Sequence, residues 1–314
     1  MKKLTIIFAG TAYFSMRYLD ALTKSEHKVI AVITQPDRPS GRGQKIIFSP
    51  VKILSIKRNI PIFQPSELKN EKIQREIFNL NADMMIVVSY GKLIPKEILT
   101  MFPKGCINVH TSLLPRWRGA TPIQSAILFG DKETGISIIK MNEKMDAGTI
   151  INSVKCNILP NDTTETLTFK LIEIGIQVLL KTLYYINKNI VVEKEQNEKH
   201  ATFSKKISKK DALLNWNTEA YLLERLIRAF NPWPVCYFIV NQIAIRVWQA
   251  KIIPTVMKSA CVGEIVAFNK NGIQINTAHQ ILNLQKIQFP GKKIINVEKI
   301  ISSKKHWFHI GKII

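Results

Sequence analysis

The segment Gly105–Thr121 reads GCINVHTSLLPRWRGAT, and it holds the residues whose types best suit chemistry. Asn108 and His110 stand two apart in a short apolar run, Cys106–His110. Side chains alternate along a strand, so the two share one side of it. They also lie at its carboxyl end, where open α/β sheets bind ligands. Asp146 follows a later apolar run, in Met145-Asp146-Ala147-Gly148, and its loop is expected at the same edge of the sheet. Together these residues suit transfer of an acyl group to an amine. Negative charge builds on the carbonyl oxygen during such a transfer, and an Asn amide is a neutral, fixed donor for it. The attacking amine loses a proton and the leaving nitrogen gains one; a His can carry that exchange, with an Asp orienting the ring. No covalent nucleophile is needed, and none of the four cysteines sits beside a His. Each residue also has a bland reading, because Asn and Asp are common turn formers and a His at a strand end is often structural. The residue types alone leave both readings open.

The elements that position these residues are legible as alternating apolar runs and helical patterns. Leu4–Ala9, Val29–Thr34, Met84–Ser89, Cys106–His110 and Gly135–Met141 read as buried strands. Helical spacing appears after the first strand (Phe14, Tyr18, Ala21, Leu22), near Lys69–Leu80, at Pro122–Phe129 and over Thr163–Tyr185. Alternation of this kind implies an α/β fold with an open, mostly parallel, Rossmann-like sheet. Between the second strand and the next helix lies QPDRPSGRGQKIIFSP, a loop carrying Arg38, Arg42 and Lys45 against Asp37 alone, with no helix or strand pattern in its first half. Long loops on α/β scaffolds are disproportionately functional.

Residues 189–208 are polar and read as a linker between a domain over 1–188 and a smaller one over 209–314. After a helix over Thr218–Phe230 the period changes to that of short strands: Cys236–Val240, Ile243–Ala250, Gly263–Phe268, Gly272–Asn276 and Ile281–Ile287. The turn Asn269-Lys270-Asn271-Gly272 is a hairpin signal. Five short strands suggest a small β-barrel of the oligonucleotide-binding (OB-like) kind.

Charge bears on the partner. Lys and Arg number 45 against 23 Asp and Glu, a net charge of +22. A Lys- and Asn-rich genome explains part of such an excess. Its distribution is uneven, however: residues 1–188 carry +11, whereas the shorter stretch 205–314 carries +12. That density points to a nucleic acid as partner of the smaller domain. Lys205, Lys206, Lys209 and Lys210 fit either a solvated face or contacts to an RNA backbone, and Lys206 and Lys209 are the two assigned to RNA. Cys106, Cys156, Cys236 and Cys261 form no CxxC pair and read as reduced core residues of a cytoplasmic protein. No apolar stretch approaches a membrane span, and no metal-ligand spacing occurs. Gly41-Arg42-Gly43 is too short for a phosphate loop, and no GxGxxG follows the first strand.

Several runs of the chain, in order, are similar to the methionyl-tRNA formyltransferase family: TQPDRPSGRGQ with SPVK (34–52), VVSYGKLIPKEIL (87–99), GCINVHTSLLPRWRGATPIQSAI (105–127) and RAFNPWP (228–234). Asn-x-His followed by Ser-Leu-Leu-Pro marks folate-dependent formyl transferases in general. The basic loop and RAFNPWP are more specific to the transfer-RNA enzymes. The resemblance implies Asn108, His110 and Asp146 as active-site residues. It implies Ser112, Leu113, Leu114 and Pro115 as the folate-contacting turn, and the loop 35–49 as the part that enters the acceptor stem, with Arg42 as its main contact. The implied donor is 10-formyltetrahydrofolate, the acceptor is the amino group of methionine on initiator transfer RNA, and the enzyme is a monomer. Two departures accompany the likeness. Ala12-Tyr13 stands where the family has Pro and an acidic residue, and Asp146-Ala147-Gly148-Thr149 where it has Asp-Thr-Gly-Asp. A formyl transferase acting on a sugar or purine-precursor amine, a formyl-folate hydrolase, and an RNA-binding protein without catalysis are the rival readings. The basic loop and barrel oppose the first two, and the retained Asn108, His110, Ser112 and Asp146 oppose the last.

Overall fold

The computed structural model describes residues 3–40, 45–257 and 259–314, with the backbone alone at Ser40 and Lys45. Arg42 therefore lies outside the described residues, as does the side chain of Lys45. The chain forms two compact units, one of Met1–Pro122, Thr134–Asn157 and Thr168–Ser204, the other of Ile123–Glu133, Ile158–Leu167 and Lys205–Ile314.

The first unit begins with β1 (Thr5–Gly10), α1 (Tyr13–Thr23) and β2 (Lys28–Ile33). A ribbon of β3 (Arg38–Ser40) and β4 (Lys45–Ile47) follows, then α2 (Pro50–Lys57), β5 (Ile62–Phe63), α3 (Glu71–Phe78), β6 (Met84–Val88), α4 (Lys96–Leu99) and β7 (Cys106–His110). The ribbon is antiparallel, with Arg38 opposite Ile47, so part of the basic loop read as patternless is strand. Beyond it come β8 (Arg118–Gly119), β9 (Glu133–Lys140), β10 (Ile150–Asn157), the long α6 (Thr164–Lys188), which belongs to this unit from Thr168 on, and β11 (Phe203–Ser204); α5 (Pro122–Phe129), between β8 and β9, falls in the second unit from Ile123 on.

Seven strands form one sheet in the order β10-β9-β7-β6-β1-β2-β5. The ladders β2–β5, β1–β2, β1–β6 and β6–β7 are parallel. Strand order reverses between β1 and β6, which leaves a crevice at their carboxyl ends. Alternate residues of the central strands bury opposite faces, which is why these strands read as continuous apolar runs. One face carries Ile7, Ala9, Ala31, Ile33, Met85, Val87 and Cys106, packed with Ile77 of α3 and Ile98 of α4. Asn108 and His110 continue the parity of Cys106 along β7, and Val87 pairs with Asn108.

One strand departs from the expected direction. β9 runs antiparallel to β7, with Lys140 beside Ile107 and Ser137 beside His110. Its carboxyl end therefore lies at the start of β7, not beside His110. The 141–149 loop reaches the site by folding back rather than by leaving the same sheet edge. An apolar run does not encode strand direction, because both directions bury the same side chains.

The second unit contains α7 (Ala220–Ala229) and the strands β12 (Tyr237–Val240), β13 (Ile243–Ile253), β14 (Ile265–Asn269), β15 (Gly272–Asn276), β16 (Ile281–Gln288) and β17 (Ile295–Asn296). They form an antiparallel sheet in the order β12-β13-β16-β15-β14, with β17 on β16. Register shifts at Val247, Gln249 and Ala250 bend the long β13, as bulges do, and the sheet is a half-barrel of the expected small-barrel type. Phe238, Phe268 and Phe308 meet in its core. The hairpin turn lies where expected, with Asn269 opposite Gly272. Gly272 has φ 148°, and a Cβ there would fall 2.1 Å from Asn283 Oδ1 and 2.5 Å from Leu284 O, so no larger residue fits.

Candidate active site

His110 is buried, and both of its ring nitrogens are engaged. Nε2 lies 2.9 Å from the carbonyl oxygen of Trp117. A carbonyl only accepts, so Nε2 carries the proton and donates it. That leaves Nδ1 facing Asp146 Oδ2 at 3.6 Å. Asp146 in turn collects donors on both oxygens. Asn108 Nδ2 donates to Oδ1 at 3.1 Å, and the Gly119 N–H donates to Oδ2 at 2.8 Å. The three residues read from the sequence thus converge on one carboxylate. The second amide hydrogen of Asn108 remains free of Asp146.

These groups form one wall of a cleft of about 460 Å³. The other walls come from the segment after β6 (Ser89, Tyr90, Leu93, Ile94) and from Met141, Asn142 and Met145. Thr11 Oγ1 and Gln35 Nε2 both donate to the Tyr90 carbonyl, at 3.1 and 3.0 Å, and fix this segment against the first two strands. The Tyr90 hydroxyl is buried without a hydrogen-bond partner, and burial pushes its pKa up to about 12. It is therefore a neutral hydroxyl at physiological pH, enclosed in the core cluster rather than presented to the cleft.

The Ser112-Leu113-Leu114-Pro115 turn lies behind this wall and is not among the cleft-lining residues. Ser112 Oγ donates to Arg116 O at 2.5 Å. Ser137 on β9 clasps the turn, donating to Ser112 O at 2.7 Å and accepting from Leu114 N at 3.0 Å. Ser137 is fully buried. Replacing it by Ala strands one buried carbonyl and one buried N–H, and is expected to destabilise the fold by about 1–3 kcal/mol. A denaturation midpoint unchanged from wild type would show that the turn holds without the clasp.

Trp117, left open by the sequence between stacking and structure, is buried. Its carbonyl holds His110, and its N–H donates to Thr202 Oγ1 at 2.9 Å. Cys106 is buried, and burial raises its thiol to about 12, so it is no thiolate at neutral pH. The expectation that all four cysteines are core residues fails for Cys261, which is exposed, and for Cys156, which is half-buried. Cys156 lies on the edge strand β10 between the exposed Lys155 and Asn157, and Cys261 lies outside any strand beside the exposed Val262. Arg38 in the first unit and Lys206 and Lys209 in the second are exposed. Among the described residues no group of three or more His, Cys, Asp or Glu side chains is assembled to hold a metal, and no helix is long and apolar enough to cross a membrane.

The backbone groups of Trp117 and Gly119, the segment after β6 as a cleft wall, and Gln196 carry no signal of their place in the sequence. A carbonyl has no residue-type signal. Gln196 is separated from Asp146 by 50 positions, and nothing local links the two.

Comparison with known proteins identifies the family. A family model described as "Formyl transferase" matches residues 2–183, and "Formyl transferase, C-terminal domain" matches 206–305. Proteins named methionyl-tRNA formyltransferase from Buchnera aphidicola subsp. Acyrthosiphon pisum, strains Tuc7 and 5A, are each 63% identical over 314 residues, covering 100% of both chains. Solved structures share the fold at lower identity. HypX from Aquifex aeolicus in complex with tetrahydrofolic acid has a TM-score of 0.65 at 14% identity, over 97% of this chain and 48% of that one. An N-formyltransferase from Helicobacter canadensis in complex with folinic acid and dTDP-3-aminofucose has a TM-score of 0.68 at 18% identity, over 90% and 99%. The full-length identity and both domain matches show that the chain belongs to the methionyl-tRNA formyltransferase family.

Proposed function

We infer that the chain transfers the formyl group of 10-formyltetrahydrofolate to the methionine amino group of initiator methionyl-tRNA, releasing formylmethionyl-tRNA and tetrahydrofolate. The observation that carries this reading is the meeting of Asn108, His110 and Asp146 at the wall of one cleft. The relatives' name supplies the acceptor, and the folates in the related structures support the donor.

The cleft fits a folate. Its apolar lining (Val87, Leu93, Ile94, Val109, Met141) suits a flat ring. In the reaction a bond forms between the amino nitrogen and the formyl carbon, the bond from that carbon to the folate nitrogen breaks, and one amine proton must reach the folate nitrogen. The donor supplies an activated formyl group. Asn108 donates its remaining amide hydrogen toward the carbonyl oxygen as charge gathers there. Asp146 and His110 Nδ1 face each other across 3.6 Å and form the station through which the amine proton passes. The backbone of Trp117 and Gly119 keeps both in register. The Ser112–Pro115 turn serves the folate side by holding the wall behind His110. Arg38, Arg42, Lys45, Lys206 and Lys209 serve the tRNA, the enzyme acts as a monomer, and its place is the cytoplasm.

The test is an assay with methionyl initiator tRNA and 10-formyltetrahydrofolate. Formylmethionine on the tRNA is the expected product; acceptance of a sugar or purine-precursor amine in its place sinks the reading. kcat/KM for tRNA is expected to fall by about tenfold or more as salt rises from about 50 to 200 mM, because phosphate contacts displace counterions. Arg42→Ala is expected to weaken tRNA use with folate binding nearly unchanged. A rate that ignores both salt and Arg42 removes the basic loop from the account.

A further inference from the structure

The polar segment that separates the two matched domains in sequence is built into the catalytic wall. Lys194 pairs with Ile150 through N–H···O bonds of 2.9 and 2.8 Å in the two directions. Glu193 binds both ends of the 141–149 loop, taking Lys140 Nζ at 2.7 Å and Thr149 Oγ1 at 2.6 Å. Thr202 and Ser204 accept the N–H groups of Trp117 and Thr121.

Between these anchors, Gln196 is buried and all its polar capacity is directed. Oε1 accepts from Arg118 Nε at 3.0 Å and Nη2 at 2.8 Å. Nε2 donates to the carbonyls of Asp146 and Gly148, both at 2.8 Å. The amide orientation follows from its partners, since Arg118 only donates and carbonyls only accept. Arg118 is itself buried and locked in a two-pronged pair with Glu198, at 2.8 and 2.9 Å. Arg118 sits between Trp117, whose carbonyl holds His110, and Gly119, whose N–H holds the Asp146 carboxylate. A closed ring results. The 117–119 backbone fixes the side chains of His110 and Asp146, while the Arg118 side chain, through Gln196, fixes the Asp146 backbone. Asp146 needs that hold, because it adopts the left-handed region at φ 50°, a conformation that surrounding structure must enforce.

We propose that Gln196 is a positioning residue for formyl transfer, acting through Asp146 by clamping the carbonyls of residues 146 and 148 to the buried Arg118. The proposal rests on the reading of Asp146 as part of the catalytic group. It identifies the segment 193–204 as part of the active site of the first unit.

Gln196→Glu keeps the side chain's shape and its partner Arg118 but turns an oxygen toward two carbonyls. The expected result is a fall in kcat of about tenfold to a hundredfold, with KM for folate and tRNA within about threefold. In an Asp146→Asn background the same change is expected to cost less than about twofold, because its effect passes through that carboxylate. Gln196→Met, which carries no charge, should reproduce the loss. A fall in kcat that persists undiminished without the Asp146 carboxylate would overturn the proposal, since a general structural role predicts that. Hydrogen exchange at the Gly119 amide reads the clamp with no substrate at all, and faster exchange is expected in both Gln196 variants. If the wild type fails to formylate methionyl-tRNA, the functional reading falls and the exchange measurement alone decides the clamp. Unchanged Gly119 protection overturns it.

Discussion

Asp146→Asn is expected to lower kcat by about 10³-fold, close to 4 kcal/mol of transition-state stabilisation, with KM for both substrates within about threefold. Both carboxylate oxygens accept N–H groups, Oδ1 from Asn108 and Oδ2 from Gly119. An amide at this position turns an NH₂ toward one of those donors, so charge and orientation are lost together. The same change removes the acceptor opposite His110 Nδ1. Single-turnover measurements with methionyl-tRNA separate the chemical step from binding. A loss below tenfold in a protein with wild-type melting would remove Asp146 from the proton path. Adding His110→Ala to Asp146→Asn should cost little more, because residues acting as one unit are strongly non-additive.

Gly148→Ala is expected to be nearly as damaging, although residue 148 bears no functional group. A Cβ there would lie 1.7 Å from the carbonyl oxygen of Lys140 and 2.9 Å from its carbon. Those are backbone atoms of β9 and cannot swing aside. The 141–149 loop must move instead, and Asp146 moves with it. A displacement near 1 Å at a reacting group costs about 10²-fold in rate, and the strain costs about 1–3 kcal/mol of stability. The check is kcat together with a denaturation curve. Normal kcat in a stable Gly148→Ala protein would mean that the loop tolerates a second path, and with it that the position of Asp146 is not critical.

These two predictions differ in what makes them visible. Asp146 is conspicuous in the sequence because a carboxylate is a reagent. Gly148 is conspicuous only once Lys140 O is known to lie against it. The same division runs through the fold. Continuous apolar runs at Thr5–Gly10, Lys28–Ile33 and Met84–Val88 announce buried parallel strands, since both faces must be covered. The helix over Thr164–Lys188 and the short strands of the second unit were equally legible from their periods. The antiparallel sense of β9 was not, and neither was the edge strand Ile150–Asn157, whose IINSVKCN mixes polar residues because one side of it meets solvent. The β3–β4 ribbon has no signature in the sequence, because Pro39 and the surrounding glycines mask a strand of three residues.

Residue types and their spacing are readable without the fold: Asn108 and His110 share a strand side because side chains alternate with period two, and the Asp146 loop, the basic loop and the charge of the second unit are written in residue types. Residue types persist whatever the fold does with them. Only folding fixes which way β9 runs, that the Asp146 loop doubles back, and that Trp117 O, Gly119 N and Gln196 hold His110 and Asp146 in place. Those contacts join positions up to 50 residues apart through backbone atoms that every residue carries, so no local pattern distinguishes them until the chain has folded.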